Sequence, residues 1–579
     1  MAVIYRVNMS DLSVRKEPFE GSGYDGLGGR ALTSILVANE VPPLCHPLSA
    51  ENKLVIAPGL LTGTGAPCAG RISVGAKSPL TGTIKESNSG GMGALHLAAL
   101  GIKAIVIEGA PPPGRLFRLV VTSNGIAIEP ADDLAGLGNY ETVARQFARF
   151  GDKVSCLSIG QAGEFRAAAA SVAVTDVENR PTRHCGRGGM GAVMGAKGVK
   201  VIVIDPAGGE RTKAANPEAM KAAIRKFADA LQRHPLTGKT LPQYGTNVLA
   251  NVINEAGAYP TRNFSQGQFE GVEPISGERQ HDVILERNGV IAHACHRGCT
   301  IRCSRIYVDP QGNYVTKGPE YETVWAHGAD CGIDDLDAIA QMDRMDDDFG
   351  LDTIETGATI AVAMEAGILP FGDAAGAIRL LGEVGKGTPL GRLVASGAAV
   401  LGKVYGVARI PTVKGQAIPA YDPRAAQGIG VTYATSTMGA DHTAGYAITA
   451  NVLGVGGRVD PLSPDGQVAL SRNLQIATAA VDAAGLCVFV AFAVLDDAAA
   501  FDGVCEMLAA LYGRPFGAED FSALGKRVLA AERRFNTAAG FGPADDRLPG
   551  FFKTEKLAPH QAVFTVPDEE LDTLFDFVA

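Results

Sequence analysis

The chain has a single tryptophan, and aromatics make up only 6% of its 579 residues. It has no run near the roughly 18 uninterrupted apolar residues that a membrane-spanning helix needs. Its richest apolar stretch, Val488 to Leu495, stops at Asp496-Asp497. The opening Met-Ala-Val-Ile-Tyr-Arg-Val-Asn-Met-Ser lacks the basic lead-in and apolar block of a secretory signal. A soluble, cytoplasmic protein without a membrane span is expected. Basic charge is not in excess: 52 Lys and Arg stand against 62 Asp and Glu, a net charge of −10. That argues against a nucleic-acid partner, which would need a basic face to neutralise phosphates. No phosphate-loop lysine followed by Ser or Thr stands at the required spacing. Repeats at solenoid periods and low-complexity tails are also missing.

What the chain has is length, glycine and clustered cysteine. Its 579 residues exceed what one hydrophobic core usually organises, so two or three domains are expected. The 72 glycines permit tight turns and close backbone approach to a large ligand. Short β-type runs at Ala2–Val7, Lys103–Glu108, Leu116–Thr122, Lys153–Ser158 and Lys200–Asp205 mark a β-rich first part. It closes at Pro206-Ala-Gly-Gly-Glu-Arg. Asn216-Pro217-Glu218 starts a helix, with a capping residue before proline at the first helical position. Helical patterns dominate from there. Leu470, Leu474, Ala477 and Val481, for example, fall on one face. The loop-like stretch from Gly406 to Asp422 divides this part. The class is α+β, with domains over 1–208, 209–415 and 416–579.

Ten cysteines in a chain this long do not read as the disulfide framework of a small secreted protein. Three cluster in His293-Ala-Cys295-His-Arg-Gly-Cys299-Thr-Ile-Arg-Cys303. Thiolates favour iron–sulfur clusters, zinc or copper(I), and a four-iron cluster usually takes three thiolates from one loop and one from elsewhere. The spacing is not that of a zinc finger. The plainer reading is three cysteines on one buried helical face, but Arg297, Gly298 and Arg302 between them count against it. The distant fourth thiol is expected in a special turn. Cys487 ends Asp482-Ala-Ala-Gly485-Leu486-Cys487, which echoes Asp347-Asp-Phe-Gly350-Leu351-Asp352. In both, a glycine can end a helix in the left-handed region and leave the aspartate three residues before it as a free acceptor. Asp347 could equally be a surface acid, and Asp352 an N-cap that forms a capping box with Glu355. The recurrence favours two similar ligand-binding halves.

With these motifs in hand, the chain resembles the tungsten-containing aldehyde:ferredoxin oxidoreductase family over nearly its whole length. The matching segments are Gly59-Leu-Leu-Thr-Gly-Thr-Gly-Ala-Pro-Cys-Ala-Gly-Arg71, Lys77-Ser-Pro-Leu-Thr-Gly82, Ser87-Asn-Ser-Gly-Gly91 and Gly186-Arg-Gly-Gly-Met-Gly-Ala-Val-Met-Gly195. Leu241-Pro-Gln-Tyr-Gly-Thr246, Pro260-Thr-Arg-Asn-Phe264, Gly318-Pro-Glu-Tyr-Glu-Thr323, Ala420-Tyr-Asp-Pro-Arg424 and the two Asp-x-x-Gly-Leu turns follow in order. The resemblance implies a first domain of two β-sheets that forms a base for the cofactor, under two mostly helical domains. It further implies a bis-molybdopterin tungsten (or molybdenum) centre, one 4Fe-4S cluster, and Mg2+ between the pterin phosphates. Cys295, Cys299, Cys303 and Cys487 match its cluster ligands, although the family loop is Cys-x2-Cys-x3-Cys and this one carries an extra residue. The turns Asp347, Gly350, Leu351, Asp352 and Asp482, Gly485, Leu486 match its pterin-binding turns. Arg71 matches an arginine that bridges pterin and cluster. Asn88, with Gly90 and Gly91, matches a loop whose backbone holds the magnesium. Arg187, Gly188 and Gly189 are expected at the second phosphate.

The reaction this implies converts an aldehyde to a carboxylic acid, adding oxygen from water and releasing two electrons. A proton acceptor must stand near the metal. Glu320 and Glu322 lie two apart, and in an extended segment both would face one way. Either could be the base; counting along the chain favours Glu322. His442 matches the family's active-site histidine, as donor to the carbonyl. With one cluster site, electrons need an external carrier, ferredoxin or a ferredoxin-like subunit, and a homodimer or hetero-oligomer is expected. Two other readings compete. One is a reductase of the same superfamily that acts on carboxylic acids or aryl-CoA thioesters, as the tungsten subunit of class II benzoyl-CoA reductase does. The other is a cofactor-free iron–sulfur or zinc scaffold.

Overall fold

The computed structural model describes residues 2–578. Twelve strands form two six-stranded sheets. The first holds β1 (Val3–Asn8), β2 (Ser13–Pro18), β3 (Leu54–Pro58), β4 (Ile72–Lys77), β5 (Ile84–Ser89) and β6 (Ile102–Glu108), in the order β2-β1-β6-β3-β4-β5. The second holds β7 (Phe117–Thr122), β8 (Gly125–Pro130), β9 (Ser155–Ser158), β10 (Val172–Val174), β11 (Arg183–Cys185) and β12 (Val199–Ile204), in the order β11-β10-β9-β12-β7-β8. All five strands expected from sequence are present, with ends shifted by one or two residues.

The two sheets are copies of one plan. In each, the first strand pairs antiparallel with the second and parallel with the sixth, and the third joins the sixth to the fourth and fifth. Both parallel pairs carry a register shift at the same point, skipping Lys103 in one sheet and Lys200 in the other. The sequence carries the duplication too. Gly90-Gly-Met-Gly-Ala94 and Ile102-Lys-Ala-Ile-Val-Ile-Glu108 recur as Gly188-Gly-Met-Gly-Ala192 and Val199-Lys-Val-Ile-Val-Ile-Asp205. A search at solenoid periods passes over it because the repeat occurs only once and its copies lie about a hundred residues apart.

Alternation along the strands builds the layers. Val3, Tyr5, Ile105 and Ile107 face Leu119, Val121, Leu157 and Ile202 between the sheets. Ile4, Ala104 and Val106 face the helices Gly29–Glu40 and Ala518–Ala538 on the outside. Cys156, Val201 and Val203 face Val143 of the helix Asn139–Phe150 on the other outer face.

From Pro217 the chain is mostly helical. Asn216 caps the helix Pro217–Arg233 by accepting from the Ala219 N–H at 3.1 Å, as its sequence predicts. The helix Gln467–Ala484 departs from its expected stripe. Of that stripe Val481 is buried, but Leu470, Leu474 and Ala477 are only half-buried, while Val468, Ser471, Gln475, Ile476 and Ala479 are buried beside it. It lies between neighbours on several sides, so no single apolar face decides its orientation. The stretch from 406 to 422 contains a small hairpin, Thr412–Val413 with Gln416–Ala417, and Ala417, Ile418, Ala420 and Tyr421 within it are buried. Among the described residues, no helix is long and apolar enough to cross a membrane.

The base domain touches the helical part backbone to backbone. A Cβ on Gly59, just after β3, would overlap Gly485 Cα, and one on Gly160, just after β9, would overlap the carbonyls of Asp348 and Phe349. Gly59→Ala and Gly160→Ala should each destabilise the protein by about 1–3 kcal/mol through overpacking. Gly550→Ala, where an added methyl meets nothing, should be close to neutral. Thermal unfolding of the three variants checks this.

Candidate active site and metal centre

Two helix ends organise the site. The helix Leu336–Phe349 ends at Gly350 (φ 76°) and the helix Gln467–Ala484 at Gly485 (φ 77°), both left-handed as expected. Each turn is clasped by an equivalent segment of the base domain. Ser171 donates its N–H to Gly350 O at 2.8 Å, and Asp352 donates to Ala169 O at 3.0 Å. In the other half, Arg71 donates its N–H to Gly485 O at 3.2 Å, and Cys487 donates to Cys68 O at 2.9 Å. Leu60 and Leu61 also donate to the helix-end carbonyls of Ala483 and Ala484.

The aspartates of these turns are not the free acceptors that sequence suggests. Asp347 is buried and bound by Lys317 Nζ at 2.7 Å and by His184 Nε2 at 3.1 Å, so it is no surface acid either. Asp482 takes Arg30 Nη1 at 3.3 Å, and Arg30 is itself held by Glu532. A carboxylate this deep needs a cation beside it. Asp352 does cap the helix Thr353–Glu365, but no capping box forms. Glu355 instead accepts from the Ala398 and Ala417 N–H groups, because the N–H it would need on Asp352 is already given to Ala169. Burial pushes Glu355 up to about 7.

The four expected cysteines come together. Ligand atoms of Cys295, His296 and Cys299 lie within 4.8 Å of one another. Cys303 and Cys487 sit close enough that each of these thiols disfavours ionisation of its neighbours. Contact with Cys299 and burial raise Cys295, and burial raises Cys303 and Cys487. Only a cation between them would reverse that balance. Gly90 backs the group: a Cβ there would stand 3.0 Å from Cys295 Sγ. Arg71 lies between Asp482 and the thiols, its guanidinium bound to the side chain and carbonyl of Asn88. Asn88 itself is on β5 rather than in the glycine loop. Sequence reading missed Cys68, His296 and Arg183, which join this group from outside the recognised spacing.

Glu320 and Glu322 do not share a face. The strand Tyr314–Lys317 ends before Pro319 and Glu320 becomes the N-cap of the helix Tyr321–His327, so Glu322 lies in the first helical turn and projects to a different side. Glu320 accepts from Thr246 Oγ1 at 2.5 Å, near Cys303 and Arg305. Glu322 points the other way: its Oε2 accepts from the Ala420 N–H at 3.1 Å and its Oε1 lies 3.4 Å from His442 Nε2. His442 is fixed by Asp441, which caps its short turn and is paired with Lys85 Nζ of β5 at 2.9 Å. Burial pushes Glu322 up to about 8 and His442 down to about 4, so near neutrality both are uncharged. Tyr421 and Tyr446 pack beside them, their hydroxyls 2.8 Å apart.

Several polar atoms here are buried without a partner: Glu322 Oε1, His442 Nδ1, Gln416 Oε1, Tyr433 OH, Ser89 Oγ and Thr62 Oγ1. Glu322 and His442 keep 13% and 17% of their side chains accessible, although both lie deep inside. Unpartnered polar atoms on side chains that keep some access suit a polar cofactor and a small substrate. Arg187, expected at a phosphate, is committed to the protein. It reaches Asp352 at 3.0 Å and the carbonyls of Ala417 and Ala440, both at 2.7 Å.

The chain is similar to known proteins along nearly its whole length. Family models for aldehyde ferredoxin oxidoreductase match residues 4–206 (N-terminal domain) and 222–576 (domains 2 and 3). Tungsten-containing aldehyde ferredoxin oxidoreductases of Thermococcus kodakarensis and Pyrococcus furiosus are each 38% identical, over 95% of this chain and 91% of theirs. A P. furiosus aliphatic sulfonate oxidoreductase, WOR-like subunit, is 26% identical over 73% of the chain and 71% of its own length. Among solved structures, the active site complex BamBC of benzoyl coenzyme A reductase with 1,5-dienoyl-CoA has the same fold. Its TM-score is 0.81 at 20% identity, covering 100% of this chain and 94% of that one. The relatives at 38% identity over nearly the whole chain and the two family models together show that the chain belongs to the aldehyde ferredoxin oxidoreductase family of oxidoreductases.

Proposed function

We propose that the chain oxidises an aldehyde with water to the carboxylic acid at a bis-pterin tungsten centre, with Glu322 as base and His442 as carbonyl donor. A 4Fe-4S cluster held by the four gathered cysteines would supply one-electron transfer toward ferredoxin or a ferredoxin-like subunit. The observation that carries this reading is the Glu322–His442 pair: buried, uncharged, 3.4 Å apart, and with an unpartnered polar atom on each side chain.

The two clasped turns would each seat one pterin, with Asp347 and Asp482 fixed by their cations as acceptors. Cys295, Cys299, Cys303 and Cys487 would hold the cluster. Phosphates and a bridging Mg2+ fall to the backbone at Asn88, Gly90 and Gly91 in one half and Gly188 and Gly189 in the other. Arg187 acts by holding Asp352. When bound, the metal supplies a two-electron acceptor. The rest is the work of the chain. A neutral His442 keeps an N–H to polarise the aldehyde oxygen. Glu322, once ionised, takes a proton from the water that adds to the carbonyl carbon. Tyr421, Tyr446, Tyr321 and Tyr433 pack around the pair.

Glu322→Gln should lower aldehyde turnover by about 100- to 10,000-fold with tungsten content unchanged; full activity would move the role to Glu320. Because Glu322 is held up at about 8 by burial, it is protonated and inactive as a base below that pH. kcat/KM for an aldehyde, by dye reduction, should therefore rise with pH and level off above about 8. A flat profile would remove Glu322 from that role. Cys487→Ser should lower bound iron toward a three-iron species, read by iron analysis and electron paramagnetic resonance. Comparing aldehydes with aryl-CoA thioesters as substrates tests the reaction class.

A further inference from the structure

Five thiols, not four, meet at the metal centre. Cys68 is fully buried and packs in one cluster with Cys299 and Cys487, its sulfur 3.4 Å from Thr300 Oγ1, the residue that follows Cys299. Its backbone ties together the two sources of cluster ligands. The Cys68 N–H donates to Gly298 O of the cysteine loop at 3.0 Å, and its carbonyl accepts from the Cys487 N–H at 2.9 Å. Cys68 holds φ at 59°, a left-handed conformation that a non-glycine residue keeps only when its surroundings over-determine it.

The internal duplication sharpens the point. In the other half of the base domain, Ala169 occupies the place of Cys68, Ser171 that of Arg71 and Asp352 that of Cys487, as judged by the matching hydrogen bonds to the two turns. The half without the cysteine loop has no thiol at any of the three. A sulfur has been placed at this position only where the cluster ligands gather.

We propose that Cys68 is an outer sulfur of the cluster site, donating an S–H hydrogen bond to the ligand sulfur of Cys299 and raising the cluster's reduction potential. This rests on the reading of Cys295, Cys299, Cys303 and Cys487 as cluster ligands. A thiolate bound to iron has no proton, so Cys299 can only accept. Cys68 carries the nearby S–H, and the Thr300 hydroxyl can donate to Cys68 in turn and orient it. A donor to a ligand sulfur stabilises the more negative, reduced cluster, and hydrogen bonds to sulfur are among the factors that set such potentials.

The test compares the intact enzyme with Cys68→Ala and Cys68→Ser. Each is assayed for iron content and titrated potentiometrically under electron paramagnetic resonance. Unchanged iron is expected in both, with a potential more negative than wild type in Cys68→Ala and an intermediate one in Cys68→Ser, which keeps an O–H donor. In the unmodified protein, pulsed measurements in H2O and D2O should find an exchangeable proton coupled to the cluster that Cys68→Ala lacks. An unchanged potential in Cys68→Ala, or no such proton in wild type, overturns the proposal. Loss of iron in Cys68→Ala overturns it in favour of Cys68 as a ligand. A wild-type protein without an iron–sulfur signal removes the cluster assignment itself, and the role of Cys68 with it.

Discussion

Two helix C-termini, each with backbone carbonyls that their own helix cannot satisfy, are completed by the base domain. The remainder of the site is built around this fact. A helix end buried without partners is costly, since each unmet polar group loses its hydration. Here Ser171 and Ala169 close one end, and Leu60, Leu61, Arg71 and Cys68 close the other. The contact is so close that only glycine fits at positions 59 and 160. Position, not side-chain adhesion, is what these contacts provide: they set where the Asp-x-x-Gly-Leu turns stand relative to the sheets and to each other.

Charge is handled by the same logic. Lys317 and His184 neutralise Asp347, Arg30 neutralises Asp482 and Glu532, Arg187 neutralises Asp352, and Lys85 neutralises Asp441. Glu322, like the buried Glu86 and Asp330, stands apart from this paired background. It has a backbone donor and an imidazole at 3.4 Å but no cation bonded to it, and burial keeps it protonated near neutrality. An unpaired buried acid beside an imidazole is where proton chemistry is expected.

Much of this was legible in the sequence. The five strands, the capped start at Asn216, the two left-handed glycines and the four gathered cysteines all follow from local signals: alternation, capping chemistry and soft-ligand spacing. What was not legible depends on partners far away in the chain. Glu320 and Glu322 read as one extended pair because nothing local shows that the strand stops at Lys317 and that a helix begins at Tyr321. Asp347 read as a member of an exposed acidic run because Lys317 and His184 come from other elements. Cys68 sat inside a quoted motif, yet its meaning needed the fold to bring it to Cys299. The duplication was visible in the paired Gly-Gly-Met-Gly-Ala segments and was overlooked only because it recurs once.

Arg30 and Glu532 have a consequence for how the molecule is made. The two lie 502 residues apart in the chain. Chains fold from the N-terminus as they emerge. Until the helix Ala518–Ala538 leaves the ribosome, Arg30 lacks the carboxylate that locks it in place, and its hold on Asp482 is incomplete. The nascent chain therefore stays open on this side of the second turn until that helix packs against it.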